Sequence, residues 1–417
     1  MLDSVDDGRE NFGAARHLPS SSMTSFFNSS QLLLISSAFG TAFITPACID
    51  QGNLRNFQAE VTTYAEGRKA AYSIIHTDTC SLETDALFTS VLPTLNESNL
   101  KIGLALVGGL CAEKSPIQEL QAALNAGHEL INQSWSNTSL INCSAEQERD
   151  TCPVSSSNFD DEIKRTNDWL ESSLDYLPSY MVFPENHFNQ DARDYLESEG
   201  FLGAQAGSEG VHTEYIDDPF RGAFSAAESD ASVQETEGAG RQAYVDELIA
   251  QGAWGIQPLK SLNFLENESL ENDNDYLEYL IEKVDSEDLW IAPPSTITRY
   301  IQSREHCGRP SVKDYVLSFE GADELCEKYR TNLTVTIQRE HMIFGILATQ
   351  NGEVLPSWAK DRQRAFIANI DPRFPVELNL DAPYTGSPAE LAEKAELAEQ
   401  AEEDQGMAGA AGTGNQP

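Results

Sequence analysis

The stretch Gly127–Asn137 reads GHELINQSWSN and is the most informative part of this chain. Its residues 128–135 predict a β-strand, and the polar side chains of Gln133 and Asn137 fall near the carboxyl end of that strand. On both sides, from about residue 70 to residue 304, short β-rich runs alternate with helical patterns. The stretch is therefore one strand within a longer series of alternating β and α elements.

Seven predicted strands lie in this region, and a predicted helix follows each of them. The strands are 71–78, 101–107, 128–135, 180–184, 201–206, 253–259 and 289–292, and the helices are 83–95, 115–125, 159–173, 189–199, 242–251, 275–284 and 295–304. Strands connected through helices in this way run parallel, with right-handed crossovers. We predict a distorted (β/α) barrel of about seven parallel strands.

In a (β/α) barrel, the reactive side chains project from the carboxyl ends of the strands. We call this rim of the sheet the carboxyl edge. The polar residues that the predicted strands place there are His76, Thr77, Asp78, Gln133, Asn137 and the segment 184–187. The carboxyl edge is therefore the expected functional site.

The pattern of predicted elements changes near residue 312. Beyond it, short alternating runs separated by turn residues predict a small antiparallel β domain, similar to a β-sandwich. The predicted organisation is a leader over 1–50, the barrel over 51–311, the β domain over 312–384 and an acidic low-complexity tail over 385–417.

The chain of 417 residues is strongly acidic, with 67 Asp and Glu against 27 Lys and Arg and a net charge of -40. A surface of this charge repels phosphate backbones and anionic lipid, which argues against nucleic-acid binding. The acidity favours a solubilised, salt-tolerant surface over the alternative, an acidic face for a cationic glycan.

The apolar run Leu32–Ile44, LLLISSAFGTAFI, has 13 residues. This is the length of the apolar h-region of a secretory signal and is too short to span a bilayer, so we expect export and no transmembrane span. The expected location is extracellular, periplasmic or at the cell surface. Two alternatives stay open, namely a lipid anchor at Cys48 and a buried N-terminal helix.

Six cysteines follow Cys48, and an even number in an oxidising compartment predicts disulfides. Six cysteines allow fifteen connectivities. The spacing favours three pairs, which are Cys80 with Cys111, Cys143 with Cys152, and Cys307 with Cys326.

Several stretches between about residues 60 and 310 resemble the polysaccharide deacetylases, also called the NodB homology domain or family-four carbohydrate esterases. In family order they are Ile75–Thr79 (IHTDT), Gly127–Asn137, the helix 161–172 (DEIKRTNDWLES), Val182–Asn186 (VFPEN), Tyr195–Phe201 (YLESEGF), and Asp288–Pro293 (DLWIAP) with Tyr300. The resemblance implies the same barrel fold and a hydrolase that removes acetyl groups from a polysaccharide or oligosaccharide.

The family's reaction needs a divalent, zinc-type ion held by one Asp and two His, an Asp as general base and a His as general acid. By this resemblance Asp78 keeps the metal-ligand position. Thr77 stands where the base belongs, and Lys260 stands at the late His position. Gln133 and Asn137 replace the two ligand histidines, and Val182 replaces the Arg that steadies the base. The family's chemistry is therefore expected to be crippled, because neutral amides bind such ions weakly and Thr is not a base.

Two further sets of residues are candidates. His76 and His187 could join Asp78 in a shifted site with two His ligands and one carboxylate, or each could be an ordinary hydrogen-bonded histidine. The resemblance places Pro184 in the substrate loop and Trp290 at the border of the acetyl pocket. Trp135 and Trp290 could stack on sugar rings, although core packing is the default for such aromatics.

The resulting prediction is a secreted polysaccharide-deacetylase-like protein. As an enzyme it would hydrolyse carbon–nitrogen (non-peptide) or ester bonds of acetyl groups with a divalent metal. The alternatives are a glycan-binding pseudoenzyme without a cofactor and a cell-surface scaffold that uses the β domain and the tail.

Overall fold

The computed structural model describes residues 57–80, 86–141, 159–209, 212, 218–220, 222–224, 237–260, 274–339, 343 and 345–380. The predicted leader with Cys48, the predicted Cys143–Cys152 pair and the acidic tail fall outside these residues.

The strands in chain order are β1 (Phe57–Val61), β2 (Ala70–Thr79), β3 (Gly103–Leu106), β4 (Glu129–Asn132), β5 (Tyr180–Val182), β6 (Gly203–Glu209), β7 (Gly222–Phe224), β8 (Trp254–Leu259), β9 (Leu289–Ile291), β10 (Arg309–Lys313), β11 (Val316–Glu320), β12 (Leu333–Arg339), β13 (Leu347–Gln350), β14 (Glu353–Leu355), β15 (Ser357–Ala359), β16 (Arg364–Ile370) and β17 (Val376–Asn379). The helices are α1 (Leu92–Glu97), α2 (Gly108–Lys114), α3 (Ile117–Asn125), α4 (Arg165–Leu174), α5 (Gln190–Ser198), α6 (Glu237–Gln251), α7 (Asn274–Asp285), α8 (Pro294–His306) and α9 (Leu325–Tyr329). A π-helical turn precedes α1 and another precedes α4.

Strands β2 to β9 form one sheet in the order β7-β6-β5-β4-β3-β2-β8, and β9 also pairs with β2. Every one of these pairings is parallel. The backbone of His212 forms an antiparallel bridge with Trp254 of β8, at the opposite end of the sheet from β7. The sheet is a curled half-barrel, so the predicted (β/α) barrel class is confirmed.

The central strand β2, AAYSIIHTDT, is buried on both faces along almost its whole length. One face, with Ala71 and Ile75, joins the inner core of the barrel. The other face, with Tyr72 and Ile74, packs in the layer that contains the helices. A strand covered on both faces needs apolar or small residues at successive positions, as parallel strands generally do.

Two antiparallel sheets, in the orders β1-β12-β16-β15 and β10-β11-β17-β13-β14, make up the other part of the fold. Their shared core contains Val335, Ile337, Ile367 and Val376. This confirms the predicted antiparallel β structure after the barrel. One strand of these sheets, β1, comes before the barrel in the chain. It pairs with β12 through residues such as Val61 and Val335.

Two disulfides lie in the described parts of the chain, Cys80–Cys111 and Cys307–Cys326. Their Cα–Cα distances are 5.1 and 4.7 Å, within the range that a disulfide accepts. They are pairs that the sequence spacing favours. None of the helices described here has both the length and the apolar character needed to cross a membrane.

A buried carboxyl group lies at the opposite edge of the barrel from the carboxyl ends. Glu129 begins β4, is 6% exposed and accepts a 3.2 Å hydrogen bond from the Ser295 N–H in the first turn of α8. Burial raises the pKa of Glu129 to about 7, although the hydrogen bonds from Ser295 and the charge of Arg299 act in the opposite direction. Burial, and to a smaller extent the charge of Glu129, raises the pKa of the Tyr176 and Tyr180 hydroxyls. Glu129 is therefore protonated in the folded chain at a pH where it would ionise in the unfolded chain.

We expect the difference between the folded and unfolded pKa of Glu129 to make the stability of the wild type depend on pH. Glu129→Gln should remove this dependence. Because the folded pKa is raised, the stabilising contribution of Glu129 is fully present below about pH 4.5 and is lost as the pH rises through about 7. Between pH 4.5 and 8 the free energy of unfolding of the wild type should fall by about 3 kcal/mol more than that of Glu129→Gln. Urea unfolding of both proteins at both pH values measures this, and parallel pH dependences would contradict it.

Candidate functional site at the carboxyl edge

The backbone is strained where the strands end at the carboxyl edge. The pairing of β2 with β3 shifts between His76 and Thr79, so the strand bulges at this point. Non-glycine residues with positive φ gather here, namely Asp78 (54°), Ser134 (66°), Asn137 (56°), Glu185 (58°) and Asn186 (54°). Such conformations cost energy and cluster at functional sites. The positive-φ residues thus support the carboxyl edge as the candidate site.

Asp78 lies at the centre of a polar network. Its N–H donates a 2.8 Å hydrogen bond to Oε1 of Gln133. Its Oδ1 accepts hydrogen bonds from Nε2 of Gln133 at 2.8 Å and from Nδ2 of Asn137 at 2.9 Å. Nε2 of Gln133 also lies 3.3 Å from Oδ1 of Asn137. The structure therefore brings the residues at the three predicted metal-ligand positions together, as donors and acceptors to one another.

A cation completes this network. Nζ of Lys260, which directly follows β8, lies 3.6 Å from Oδ2 of Asp78. The Lys260 side chain is 82% exposed and the Asp78 side chain 26% exposed. The exposed ammonium offsets part of the Asp78 carboxylate charge, an effect that water and salt screen.

Thr77 points to a neighbouring strand. Its Oγ1 donates a 3.3 Å hydrogen bond to the backbone carbonyl of Leu259 in β8, and the residue is 8% exposed. A threonine hydroxyl does not act as a general base near neutral pH. Thr77 therefore ties β2 to β8 at the position where the resemblance implies the base.

The structure does not assemble His76, His187 and Asp78 into the shifted ligand triad. His76 is 5% exposed, its Nδ1 lies 3.0 Å from Oγ1 of Thr79, and burial lowers its pKa to about 4. Nδ1 of His187 instead lies 2.9 Å from Oγ of Ser139. Within the described part of the chain, no three His, Cys, Asp or Glu side chains are grouped so that they could hold a metal ion.

The donor set at Asp78 does not fit a zinc-type ion. Zn²⁺ prefers imidazole, thiolate and carboxylate ligands with lone pairs directed at the metal. Here the amide N–H groups of Gln133 and Asn137 point at Asp78, and Oε1 of Gln133 is engaged by the Asp78 backbone. The ammonium of Lys260 adds repulsion towards any cation. The network satisfies the carboxylate without a metal.

Glu162 was not among the predicted site residues, yet it holds the loop that carries Asn137. Its Oε2 accepts hydrogen bonds from the backbone N–H groups of Trp135 at 3.1 Å and Ser136 at 2.8 Å. Its Oε1 accepts a third from Oγ of Ser136 at 2.8 Å, and Glu162 is 8% exposed. In the sequence Glu162 is one of several acidic residues at a helix start, so its role had no distinguishing signal.

Trp135 supports the same loop. Its backbone carbonyl accepts a 2.8 Å hydrogen bond from Gly109 N–H, and the Arg165 guanidinium lies 3.9 Å from the centre of its ring. The guanidinium therefore covers one face of the ring, leaving less of it for a sugar.

The other two predicted substrate-binding residues lie in different surroundings. Pro184 is buried in the short turn Pro184–Asn186 at the end of β5, on the carboxyl edge. Trp290 pairs with Ala71, near the start of β2 and seven residues before Asp78. Its ring packs at 5.3 Å against Tyr300 and borders the inner core. The strand register thus places Trp290 away from the Asp78 network.

The barrel segment matches a known family. Residues 70–204, from the first residue of β2 into β6, match the family model described as polysaccharide deacetylase. This segment is 135 of the 417 residues, counted from 70 to 204. The match confirms the resemblance to the polysaccharide deacetylases that the motifs predict. No curated protein matches the chain significantly.

Solved structures with a similar fold include a Mycobacterium smegmatis protein assigned to the polysaccharide deacetylases, at 15% identity and a TM-score of 0.42, covering 61% of this chain and 97% of that one. A Pseudomonas aeruginosa PAO1 protein with the same assignment has 14% identity and a TM-score of 0.39, covering 57% and 92%. A family 4 acetyl xylan esterase from Clostridium thermocellum, solved with a cobalt ion, has 16% identity and a TM-score of 0.34, covering 54% and 89%. Identities this low carry no argument about function.

Proposed function

We propose that this chain is a polysaccharide-deacetylase-like protein that has lost the metal-dependent reaction of its family and binds a glycan at the carboxyl edge. The proposal rests on one observation above all. The Asp78 carboxylate is satisfied by two amide N–H groups and faced by the Lys260 ammonium. The chemistry that a metal would supply, namely activation of water and polarisation of the acetyl carbonyl, has no support from these donors.

The remaining residues do not replace that chemistry. Thr77 stands at the base position and donates its hydroxyl hydrogen to Leu259. Loss of a general acid or base alone typically costs roughly 10²- to 10⁴-fold in rate. Together with the loss of metal ligands, this supports a protein whose family reaction is absent.

Binding of a glycan is supported by what the edge retains. Asn137 and Lys260 are exposed and carry amide and ammonium groups, which can hydrogen-bond to sugar hydroxyls. The loop that carries Asn137 is held by a buried carboxylate, Glu162, so these groups are presented in a fixed arrangement. Binding of this kind needs no metal and should persist in a chelator.

The full chain should bind acetylated xylohexaose or chitohexaose equally well with and without EDTA, and should release no acetate from either. Asn137→Ala should weaken binding about tenfold or more, since it removes a charge-assisted hydrogen bond to Asp78 and an exposed amide. Isothermal titration calorimetry measures the binding.

Asn125→Ala is a matched control for this experiment, because Asn125 is an exposed asparagine at the end of α3, before β4 begins. It should leave the affinity unchanged. The proposed function would be refuted if the chain releases acetate and EDTA abolishes this release. It would also be refuted if the chain binds neither glycan.

Export from the cytoplasm is part of the proposal. It is supported by the two disulfides in the described residues and by the apolar run Leu32–Ile44. N-terminal sequencing of the mature protein would test it, because a chain that still carries residues 32–44 and stays inside the cell contradicts export.

A further inference from the structure

The Cys80–Cys111 disulfide lies directly beside the Asp78 network. Cys80 is two residues after Asp78 and has a φ of 74°, in the left-handed region that non-glycine residues rarely adopt. Sγ of Cys111 lies 3.5 Å from the carbonyl oxygen of Thr79. Both cysteines are buried, with 1% and 0% of their surface exposed. The cross-link therefore fixes the end of β2 where the backbone turns to present Asp78.

The helix that carries Cys111 also holds the second loop of the site. At the start of α2, Gly108 N–H donates to the carbonyl of Ser134 at 2.9 Å, and Gly109 N–H donates to the carbonyl of Trp135 at 2.8 Å. A Cβ on Gly109 would lie 2.8 Å from that same Trp135 oxygen, so only glycine permits the approach. The loop 134–137 is thus attached to the helix that the disulfide attaches to β2.

These links close a ring around the site. The chain runs from Asp78 to Cys80, crosses the disulfide to Cys111, and passes from Gly109 to Trp135 by a hydrogen bond. Nδ2 of Asn137, two residues further on, then donates back to Asp78 at 2.9 Å. One covalent bond is therefore part of the connection between the two halves of the network, beside the pairing of β2, β3 and β4.

We propose that Cys80 and Cys111 are positioning residues, whose disulfide holds the Asp78 turn and the loop 134–137 at the separation that the glycan-binding edge requires. The glycan part of this inference rests on the proposed function. The positioning part does not, because it concerns the hydrogen bonds between the two loops. An oxidising compartment is then a condition for an assembled site as well as for stability.

The second disulfide offers a matched control. Cys307–Cys326 joins the residue after α8 to α9, spans 19 residues against 31 for Cys80–Cys111, and includes an equally buried cysteine, Cys307. It has no link to the loop 134–137 among the described contacts. Removing it costs general stability without opening the ring around Asp78.

The test compares Cys80→Ser/Cys111→Ser with Cys307→Ser/Cys326→Ser in the full chain by hydrogen–deuterium exchange. The amide hydrogens to follow are those of Asp78, Trp135 and Ser136, which are bonded to side chains within the site. We expect their exchange to speed up at least about tenfold in the first variant only. Unchanged exchange, or equal acceleration in both variants, overturns the proposal.

Gly109→Ala keeps the test decisive if the Cys80→Ser/Cys111→Ser variant does not fold. It leaves the disulfide in place but forces the Trp135 backbone away from α2. It should accelerate the exchange of Trp135 and Ser136, and normal exchange in this variant also overturns the proposal.

A binding arm uses acetylated xylohexaose and chitohexaose as probes. Loss of affinity in Cys80→Ser/Cys111→Ser, but not in the Cys307→Ser/Cys326→Ser control, supports the link between the disulfide and binding. If the wild type binds neither probe, the proposed function fails, and the exchange result alone still decides whether the disulfide positions the two loops.

Discussion

A variant with Gln133→His, Asn137→His and Lys260→Ala should bind Co²⁺ at least about a thousandfold more tightly than the wild-type chain. Removing a single outer partner of a metal ligand typically costs roughly 10- to 100-fold in affinity, and a ligand itself costs more. The triple variant adds two imidazoles on either side of Asp78 and removes the ammonium that lies 3.6 Å from it. Imidazole and carboxylate then meet in the combination that zinc-type ions prefer.

The strained backbone at this edge makes the restoration possible. Asp78 and Asn137 have positive φ values, and the side chains of Asn137 and Gln133 both already reach the Asp78 carboxylate. Co²⁺ titration followed by visible absorption measures both the affinity and the geometry of the ion. A variant with Gln133→Ala, Asn137→Ala and Lys260→Ala is the control, because it loses the ammonium without gaining imidazoles. Equal Co²⁺ affinity in the two variants would contradict the account of the site.

Glu162→Ala should lower the free energy of unfolding by about 2 kcal/mol. The carboxylate accepts three hydrogen bonds from the loop 134–137, and its removal leaves the backbone N–H groups of Trp135 and Ser136 without their partner. Hydrogen bonds to charged groups contribute roughly 1.5–3 kcal/mol each, but water replaces part of this here because Ser136 is exposed and Trp135 is only partly buried.

Two further variants separate the loss of the acceptor from other effects. Glu162→Gln keeps an acceptor oxygen and should cost clearly less than Glu162→Ala. Asp168→Ala removes an exposed carboxylate from the same helical segment, where it pairs with Lys164 at the surface, and should change stability by about 0.5 kcal/mol or less. Thermal or urea unfolding compares all three. A Glu162→Ala protein as stable as Asp168→Ala would show that Glu162 does not hold the loop.

The sequence predicts the barrel well because its strands are short, apolar and regularly interleaved with helices. The pattern around β2 and β4 needs no long-range information, since burial on both faces demands apolar residues at successive positions. The three residues of β7, Gly222–Phe224, carry no such period, and they lie in a polar stretch that suggests an insertion. The pairing of strand β1 cannot be predicted from local sequence either, because its partner β12 lies more than 270 residues away.

The sequence predicts the candidate site only in part. The residues aligned with the metal ligands can be located from the motifs, and the structure brings Asp78, Gln133 and Asn137 together. The hydrogen bonds that fill the coordination positions depend on side-chain direction, which no motif encodes. Strand register decides the surroundings of Trp290, whose partner Ala71 lies near the start of β2. Contacts between residues far apart in the chain, such as the hydrogen bond between Trp135 and Glu162, can be seen only in the folded structure.

The metal content of the wild-type chain tests the central claim most directly. The full chain is equilibrated with equimolar Zn²⁺, Co²⁺ or Ni²⁺, desalted, and measured by inductively coupled plasma mass spectrometry. Our account predicts far less than stoichiometric metal, the same in wild type and Asp78→Ala, because the Asp78 carboxylate is already satisfied by Gln133, Asn137 and Lys260. A stoichiometric ion in the wild type that Asp78→Ala abolishes would contradict it.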